Sequence, residues 1–235
     1  MIAGRRVLAV CPARGGSKGI PRKNLRPFLG VPLVERVGAI AAAVPAIDRA
    51  VVSTDDEEIA AAAERGGLGA PFRRPQALSG DRIGDAEVLL HALGEVERLD
   101  GVRYDLVVML QPTSPLRRPE HVAGALAMLV EGDWDAVWSV SPTDSKAHPL
   151  KQLVVADQRL DYYDPDGAKI VARQQLAPVV HRNGAVYAIT RDTLTERGTM
   201  GARTGAFLID EQMVSIDTLF DLELAELLAR RAERG

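Results

Sequence analysis

Up to about residue 140 the chain alternates short apolar runs with longer amphipathic ones. Residues 7–11, 50–53, 106–110 and 136–140 are brief, rich in Val and Leu, and bounded by charge, Gly or Pro. That is the pattern of strands buried on both faces. Between them, residues 32–44, 56–65, 85–99 and 119–131 carry apolar positions at helical spacing. Pro32 and Pro119 suit a first helical turn, and Asp55 or Asp56 suits an N-cap. The alternation predicts an α/β fold of three layers, with a mainly parallel sheet covered by helices on both faces.

After residue 141 the pattern changes. Residues 141–177 are polar and turn-rich, with Asp161-Tyr162-Tyr163-Asp164-Pro165-Asp166-Gly167 as the clearest turn signal. Residues 184–190 and 213–216 then read as strands, and 220–231 as a closing helix. One domain over 1–235 is expected, with residues 141–180 inserted as a small protruding subdomain. There is no internal repeat or low-complexity tract.

Composition narrows the function. With 46% hydrophobic and 26% charged residues over 235 positions, the chain can bury roughly 70% of the surface it exposes when unfolded. A net charge of −3 and only 4% aromatics argue against a nucleic-acid partner. No segment reaches the roughly 18 apolar residues that would span a bilayer, so neither a membrane partner nor an anchor is expected. Arg5-Arg6 and the short run after it are too brief for a signal peptide, and a cytoplasmic location is expected. Cys11 stands alone and follows an apolar run, which excludes an internal disulfide and a cysteine-based zinc site.

The charge is unevenly distributed. Arg5, Arg6, Arg14, Lys18, Arg22, Lys23 and Arg26 fall within the first 26 residues, where there is no acid. Most of them lie in Pro12-Ala13-Arg14-Gly15-Gly16-Ser17-Lys18-Gly19-Ile20-Pro21-Arg22-Lys23-Asn24, directly after the first strand. Ligands of open α/β sheets bind beyond the strands' carboxyl ends. Adjacent glycines let backbone N–H groups approach a ligand, and the cations add charged donors. The combination suits a polyphosphate. The loop is neither a Walker A sequence nor Gly-x-Gly-x-x-Gly.

Three further segments point to the same edge. Ser53-Thr54-Asp55-Asp56 follows the second strand, with helix capping the simplest role for its acids. Arg73-Arg74-Pro75-Gln76-Ala77-Leu78-Ser79-Gly80-Asp81 forms a second basic loop. Gln111-Pro112-Thr113-Ser114-Pro115-Leu116-Arg117 follows the third strand, its prolines holding a rigid ledge.

The stretches PARGGSKGIPRKN, VSTDDEEIA, RPQALSGD, LQPTSPLR, RNGAVYAI and IDTLFDLELAE closely resemble the cytidylyltransferases that make CMP-sialic acids, the N-acylneuraminate cytidylyltransferases. They run in the family's order from residue 12 to residue 227. The resemblance implies a Rossmann-like nucleotidyltransferase fold and a homodimer whose subdomain reaches toward the partner's active site. It implies that CTP and a sialic-type sugar acid give the CMP-sugar and pyrophosphate, with Mg²⁺ as cofactor. It assigns the triphosphate to Arg14, Ser17, Lys18 and Lys23, with Ala13, Gly15 and Gly16 in the same loop. Asn24 and Arg74 fall to the cytidine end, with Asp81 and Asp85 beside the nucleotide. Gln111, Thr113, Ser114, Asn183 and Tyr187 fall to the sugar, and Lys146 or Lys151 with Arg173 to its carboxylate. Arg14, Lys18, Gln111 and Asp217 are then the residues expected to carry catalysis.

Two positions depart from the family. Its members commonly read Asp-Ile-Asp where this chain reads Ser215-Ile216-Asp217. Residues two apart on a strand share a face, so Asp217 is the expected metal ligand, with Ser215 or Asp221 as further candidates. Asp221 also suits a first-turn helix acid. Asp85 stands where the family places a small hydroxyl, and helix capping competes with a nucleotide role. His148 and His181 lie in the expected sugar segments; His91 reads as packed, and His121 as exposed. Alternatives are a cytidylyltransferase for Kdo, pseudaminic or legionaminic acid, or a catalytically impaired nucleotide-binding module. Kdo enzymes usually carry acids where this chain has Gln111-Pro112-Thr113-Ser114. The chain length is that expected of a stand-alone enzyme.

Overall fold

A computed structural model describes residues 1–233. In chain order the elements are β1 (Val7–Pro12), β2 (Pro27–Phe28), β3 (Val31–Pro32), α1 (Leu33–Ala42), β4 (Arg49–Ser53), α2 (Glu57–Arg65), α3 (Asp85–Asp100) and β5 (Leu106–Met109). There follow α4 (Pro119–Glu131), β6 (Ala136–Pro142), β7 (Leu153–Ala156), β8 (Arg159–Tyr162), β9 (Val180–Thr190), α5 (Arg191–Arg197), β10 (Thr204–Leu208) and α6 (Leu219–Ala232). The main sheet runs β10-β6-β9-β5-β1-β4. β9 is antiparallel to β5 and β6, and the other pairings are parallel.

The two-residue period of β1 sets the layers. Val7, Ala9 and Cys11 face α1, α2 and α4 in one cluster, through Val34, Ile59 and Leu126 among others. Leu8 and Val10 face α3 and α5 in the other, through Leu89, Leu93 and Leu194. Cys11 is fully buried, which pushes its thiol up to about 12 and leaves it a small hydrophobe. The three-layer α/β expectation therefore holds.

The C-terminal third differs from expectation in one strand. Residues 213–216 pair with no strand; Ile216 makes a single backbone bond to the Thr113 carbonyl (2.8 Å) and packs with Ile20, Phe28 and Leu33. Their apolar alternation reflects that packing. The edge strand is β10 instead, over Thr204–Leu208, a stretch the sequence reading leaves unassigned. The helix expected from Pro32 starts one residue later, and Pro119 does open α4.

Between β6 and β9 the chain leaves the sheet. β7 and β8 pair only with each other, flanked by short 3₁₀ turns. Val155, Leu160, Tyr163 and Val171 are exposed there, Val171 at 89%. No helix among the described residues is long and apolar enough to cross a membrane.

Candidate active site

The carboxyl ends of β1 and β5 open onto a cavity of about 520 Å³, within the roughly 300–1,000 Å³ that small-molecule sites occupy. One wall is the glycine loop. Ala13 N–H donates to the Ser53 carbonyl (3.0 Å), carrying the β1–β4 pairing one bond past the strand. Asn24 is buried and its amide donates to the Arg14 carbonyl (2.9 Å); Gly15 N–H donates to Asp55 Oδ1 (2.9 Å). At Gly19 a Cβ would stand 2.5 Å from the Asp217 carbonyl oxygen, so only glycine lets the loop pass the 215–217 segment. Asp56 caps α2 through the Glu58 and Ile59 amides. Of the two acids, one therefore caps as expected and the other holds the loop.

The loop's cations meet carboxylates across the cavity. Arg14 pairs with Asp81 at 2.6 Å, Lys18 pairs with the same carboxylate, and Lys23 pairs with Asp217 at 2.9 Å. Lys18 and Arg14 hold the Asp81 carboxyl below its ordinary range. Arg74 is different. It is 5% exposed and lines the cavity, yet its Nε and Nη2 have no hydrogen-bond partner among the described residues. Burial lowers its guanidinium's pKa, partly offset by Asp55.

The floor is the ledge after β5. Gln111, Pro112 and Thr113 line the cavity. Beneath them Arg117 is buried, donating to the Ala185 carbonyl (2.7 Å) and the Gln111 carbonyl (3.0 Å). Its pKa is lowered to about 10 by burial. Gly184 adopts φ 72°, and a Cβ there would lie 2.8 Å from Gln111 Oε1. β9 can press against the Gln111 side chain only through glycine.

The expected site residues fall into three groups. Arg14, Ser17, Lys18, Lys23, Asn24, Arg74, Asp81, Asp85, Gln111, Thr113, Ser215 and Asp217 all line the one cavity. Ser215 and Asp217 do so from an irregular segment, so the shared strand face invoked for them is corrected. A second group supports the wall. Ser114 Oγ donates to the Asn183 carbonyl, Asn183 bridges Ser139, Ser141 and the Ala185 amide, and Tyr187 packs edge-on against Trp138, centroids 5.0 Å apart.

The third group, Lys146, Lys151 and Arg173, is exposed on the 3₁₀ turns of the excursion, outside the cavity lining. Asp221 is committed to α6, accepting from Asp217 N–H, Thr218 N–H and Thr218 Oγ. His121 is buried, not exposed, because Nδ1 accepts from the Arg118 amide. His148 is buried as the cap of a turn, and His181 faces Thr143. Leu78, Ile83 and Val88 also line the cavity; a search for polar chemistry passes over them.

No cluster of three or more His, Cys, Asp or Glu among the described residues is arranged to hold a metal. Asp217 and Ser215 at the cavity rim nevertheless suit Mg²⁺, which takes one or two carboxylates and completes its shell with substrate phosphates and water.

At the carboxyl edge of this α/β sheet the cations of the glycine loop and the carboxylates Asp81 and Asp217 line one cavity, and the family match makes the chain a nucleotidyltransferase. The chain matches the Cytidylyltransferase family over residues 8–232, and it belongs to that family. It is 31% identical to the pseudaminic acid cytidylyltransferase of Campylobacter jejuni, over 94% of this chain and 95% of that one. It is 31% identical to the CMP-N,N'-diacetyllegionaminic acid synthase of Legionella pneumophila, covering 95% and 96%. Against the N-acylneuraminate cytidylyltransferase of Oncorhynchus mykiss identity is 32% over 94% of this chain but 50% of that one. The fold matches a CMP:2-keto-3-deoxy-manno-octonic acid synthetase complexed with CTP, with TM-score 0.72 and 21% identity over 97% of this chain and 99% of that one.

Asp81 occupies Arg14 and Lys18, so a phosphate bound to these two cations would displace it. Asp81→Asn is expected to tighten pyrophosphate binding several-fold at low ionic strength, with the gain shrinking as salt rises. Calorimetric titration at two salt concentrations checks this; unchanged or weaker binding would show that Asp81 does not compete.

Proposed function

We propose that this chain transfers the cytidylyl group of CTP to a 2-keto-3-deoxy nonulosonic acid, releasing pyrophosphate. The observation that carries the reading is the cavity itself: Arg14, Ser17, Lys18 and Lys23 of one glycine loop stand opposite Gln111 and Asp217. Neuraminic, pseudaminic and legionaminic acids are the substrate class. The full-length likeness to the two bacterial proteins supports the latter two as much as the first. Kdo is the second reading, supported by the fold likeness alone.

In this reading Arg14, Ser17, Lys18 and Lys23 hold the triphosphate, whereas Ala13, Gly15 and Gly16 stand outside the lining and shape the loop, the Ala13 and Gly15 amides being committed to the Ser53 carbonyl and Asp55. Asn24 and Arg74 take the cytidine end. Gln111 and Thr113 face the sugar acid, in a wall shaped by Ser114, Asn183 and Tyr187. The anomeric hydroxyl oxygen forms a bond to the α-phosphorus, the bond to the β-phosphate oxygen breaks, and the hydroxyl proton passes to water. Such transfers need alignment and charge neutralisation more than covalent participation by the protein. Asp217, with Ser215 beside it, would hold Mg²⁺. That ion supplies neutralisation of the phosphate charge when bound.

The remaining cations suggest a second copy. Lys146, Lys151 and Arg173 stand on the excursion with its exposed apolar hairpin. A homodimer that buries those side chains would bring the cations to the partner's cavity, where they would meet the sugar carboxylate. The excursion then acts as the dimerisation subdomain.

Pyrophosphate release with CTP and Mg²⁺, across neuraminic, pseudaminic, legionaminic and Kdo acids, tests the activity. Release with one nonulosonic acid is expected, falling by roughly 10²–10³-fold in Lys18→Ala or Asp217→Ala. Release with Kdo alone would favour the second reading; saturable CTP binding without release from any acid would indicate an impaired module. For the dimer, light scattering should give the mass of two chains. Mixing inactive Lys18→Ala with inactive Arg173→Ala should restore activity, because one mixed site then holds both intact residues. No restoration would place Arg173 in its own chain's site or in none.

A further inference from the structure

A second cavity lies behind the ledge that floors the first. It measures about 360 Å³ and is bounded by α1 on one side and by the back of the ledge, from Pro112 to Arg117, on the other. Pro112 lines both cavities, whereas Arg117 lines this one and not the first. Leu33, Val37, Ile40 and Pro115 make much of the wall apolar. The charged groups of the lining are Arg36, Arg65, Arg117 and Glu35. Glu35 is engaged by Arg65 at 3.4 Å. Arg36 and Arg117 are thus left without a carboxylate partner among the described residues.

Both of these arginines carry an unfilled donor. Arg117 is 4% exposed. Its two Nη groups donate to the Ala185 and Gln111 carbonyls, but its Nε is sealed from water and has no acceptor among the described residues. The Arg36 guanidinium lies 4.7 Å over the Phe28 ring, and its Nε is likewise buried without a partner. Burial lowers the Arg36 pKa, an effect Glu233 partly offsets. A buried N–H without an acceptor costs about 1–3 kcal/mol, and more on a charged group. No ligand of the catalytic cavity relieves that cost, because neither side chain lines it. An anion seated between α1 and the ledge would. Two cationic donors beside apolar surface suit one compact charge on a hydrocarbon body. A carboxylate brings that; a phosphate dianion would carry more charge into the cleft than two donors satisfy.

We propose that the cleft between α1 and residues 112–117 is a second ligand site, for a small aliphatic or aromatic carboxylate, coupled to the catalytic cavity through Arg117. Both Nε atoms are closed to water, so an acceptor reaches them only as α1 and the ledge part. The ledge carries Gln111, whose carbonyl Arg117 holds. A bound carboxylate also cancels the positive field that Arg117 directs beneath the anion cradle. Loss of that field weakens phosphate binding next door, and by linkage bound phosphate weakens the carboxylate by the same factor. The site goes beyond the cytidylyl reading and does not depend on it.

Hexanoate and its neutral amide, hexanamide, are the probes, titrated by ligand-observed NMR into the wild type, Arg36→Gln and Ala39→Trp, with and without pyrophosphate. Ala39 is an exposed α1 residue of the cleft lining, so tryptophan there closes the cleft from the surface; thermal unfolding checks the fold of each variant. Hexanoate should bind the wild type saturably, and hexanamide roughly tenfold more weakly. Arg36→Gln should weaken hexanoate several-fold and leave hexanamide unchanged, and Ala39→Trp should abolish binding of both. Saturating hexanoate should lower pyrophosphate affinity roughly fivefold in the wild type. In Ala39→Trp it should have no effect, and pyrophosphate alone should bind that variant as it binds the wild type. Equal binding of acid and amide would overturn the anion recognition, and absence of saturable hexanoate binding would overturn the site. Hexanoate that still competes with pyrophosphate in Ala39→Trp would place it in the glycine-loop cradle instead. Hexanoate binding that leaves pyrophosphate affinity untouched in the wild type would overturn the coupling.

Discussion

Crowding like charges around one cavity is the constraint on which the site depends. Arg14, Lys18, Lys23 and Arg74 share a single lining, and two unit charges about 4 Å apart interact by about 1 kcal/mol even in water. The loop relieves that repulsion with acids drawn from far along the chain: Asp55 binds the Gly15 amide from 40 positions away, Asp81 meets Arg14 from 67, and Asp217 meets Lys23 from 194. None of these partners is local. The loop's electrostatic balance therefore exists only once β4, the loop before α3 and the segment before α6 have all reached the carboxyl edge of β1. Folding and preorganisation of the cradle are one event.

Beneath the cavity the solution is reversed. Arg117 is buried with carbonyl partners and no carboxylate, and at about 10 its guanidinium is still protonated at neutral pH. Desolvating a charge without a counter-ion is costly, yet here its field is directed at a cavity built for anions. The same group ties the Gln111 carbonyl to β9 at Ala185. Gly184 lets β9 approach Gln111 without a side chain between them. Position and potential at the floor thus come from one buried cation and one glycine.

Most of this was legible in sequence because it is written in local chemistry. The strand runs, the post-strand glycine loop and the ledge motif each carry a period or a residue set with one structural meaning, and twelve of the expected residues line the cavity. What was not legible depends on long-range contact. Residues 213–216 alternate like a strand because Ile216 packs into a pocket of Ile20, Phe28 and Leu33, whereas β10 is too short and mixed in character to stand out. His121 looked exposed because the Arg118 amide that fills its ring nitrogen is invisible to helical periodicity. Lys146, Lys151 and Arg173 lie on turns whose relation to a cavity no spacing encodes. The apolar wall of Leu78, Ile83 and Val88 went unmarked because apolar residues default to the core.

The two halves of the cavity work by different physics. On the phosphate side the charges are accessible: Lys18 is 78% exposed along its side chain and Asp81 40%. Their attraction is strong in number and weak per pair, readily screened and exchanged. That suits a ligand that must arrive highly charged and leave as pyrophosphate. On the opposite side Arg74 is buried with Nε and Nη2 unpartnered among the described residues, and an unfilled buried donor costs about 1–3 kcal/mol. A ligand that fills those groups is favoured, and a near neighbour that fails to fill them is penalised. Discrimination of this kind is steep where simple attraction is shallow. The accessible cations of the loop after β1 are thus suited to retaining a charged ligand, and the buried guanidinium of Arg74 to choosing among ligands.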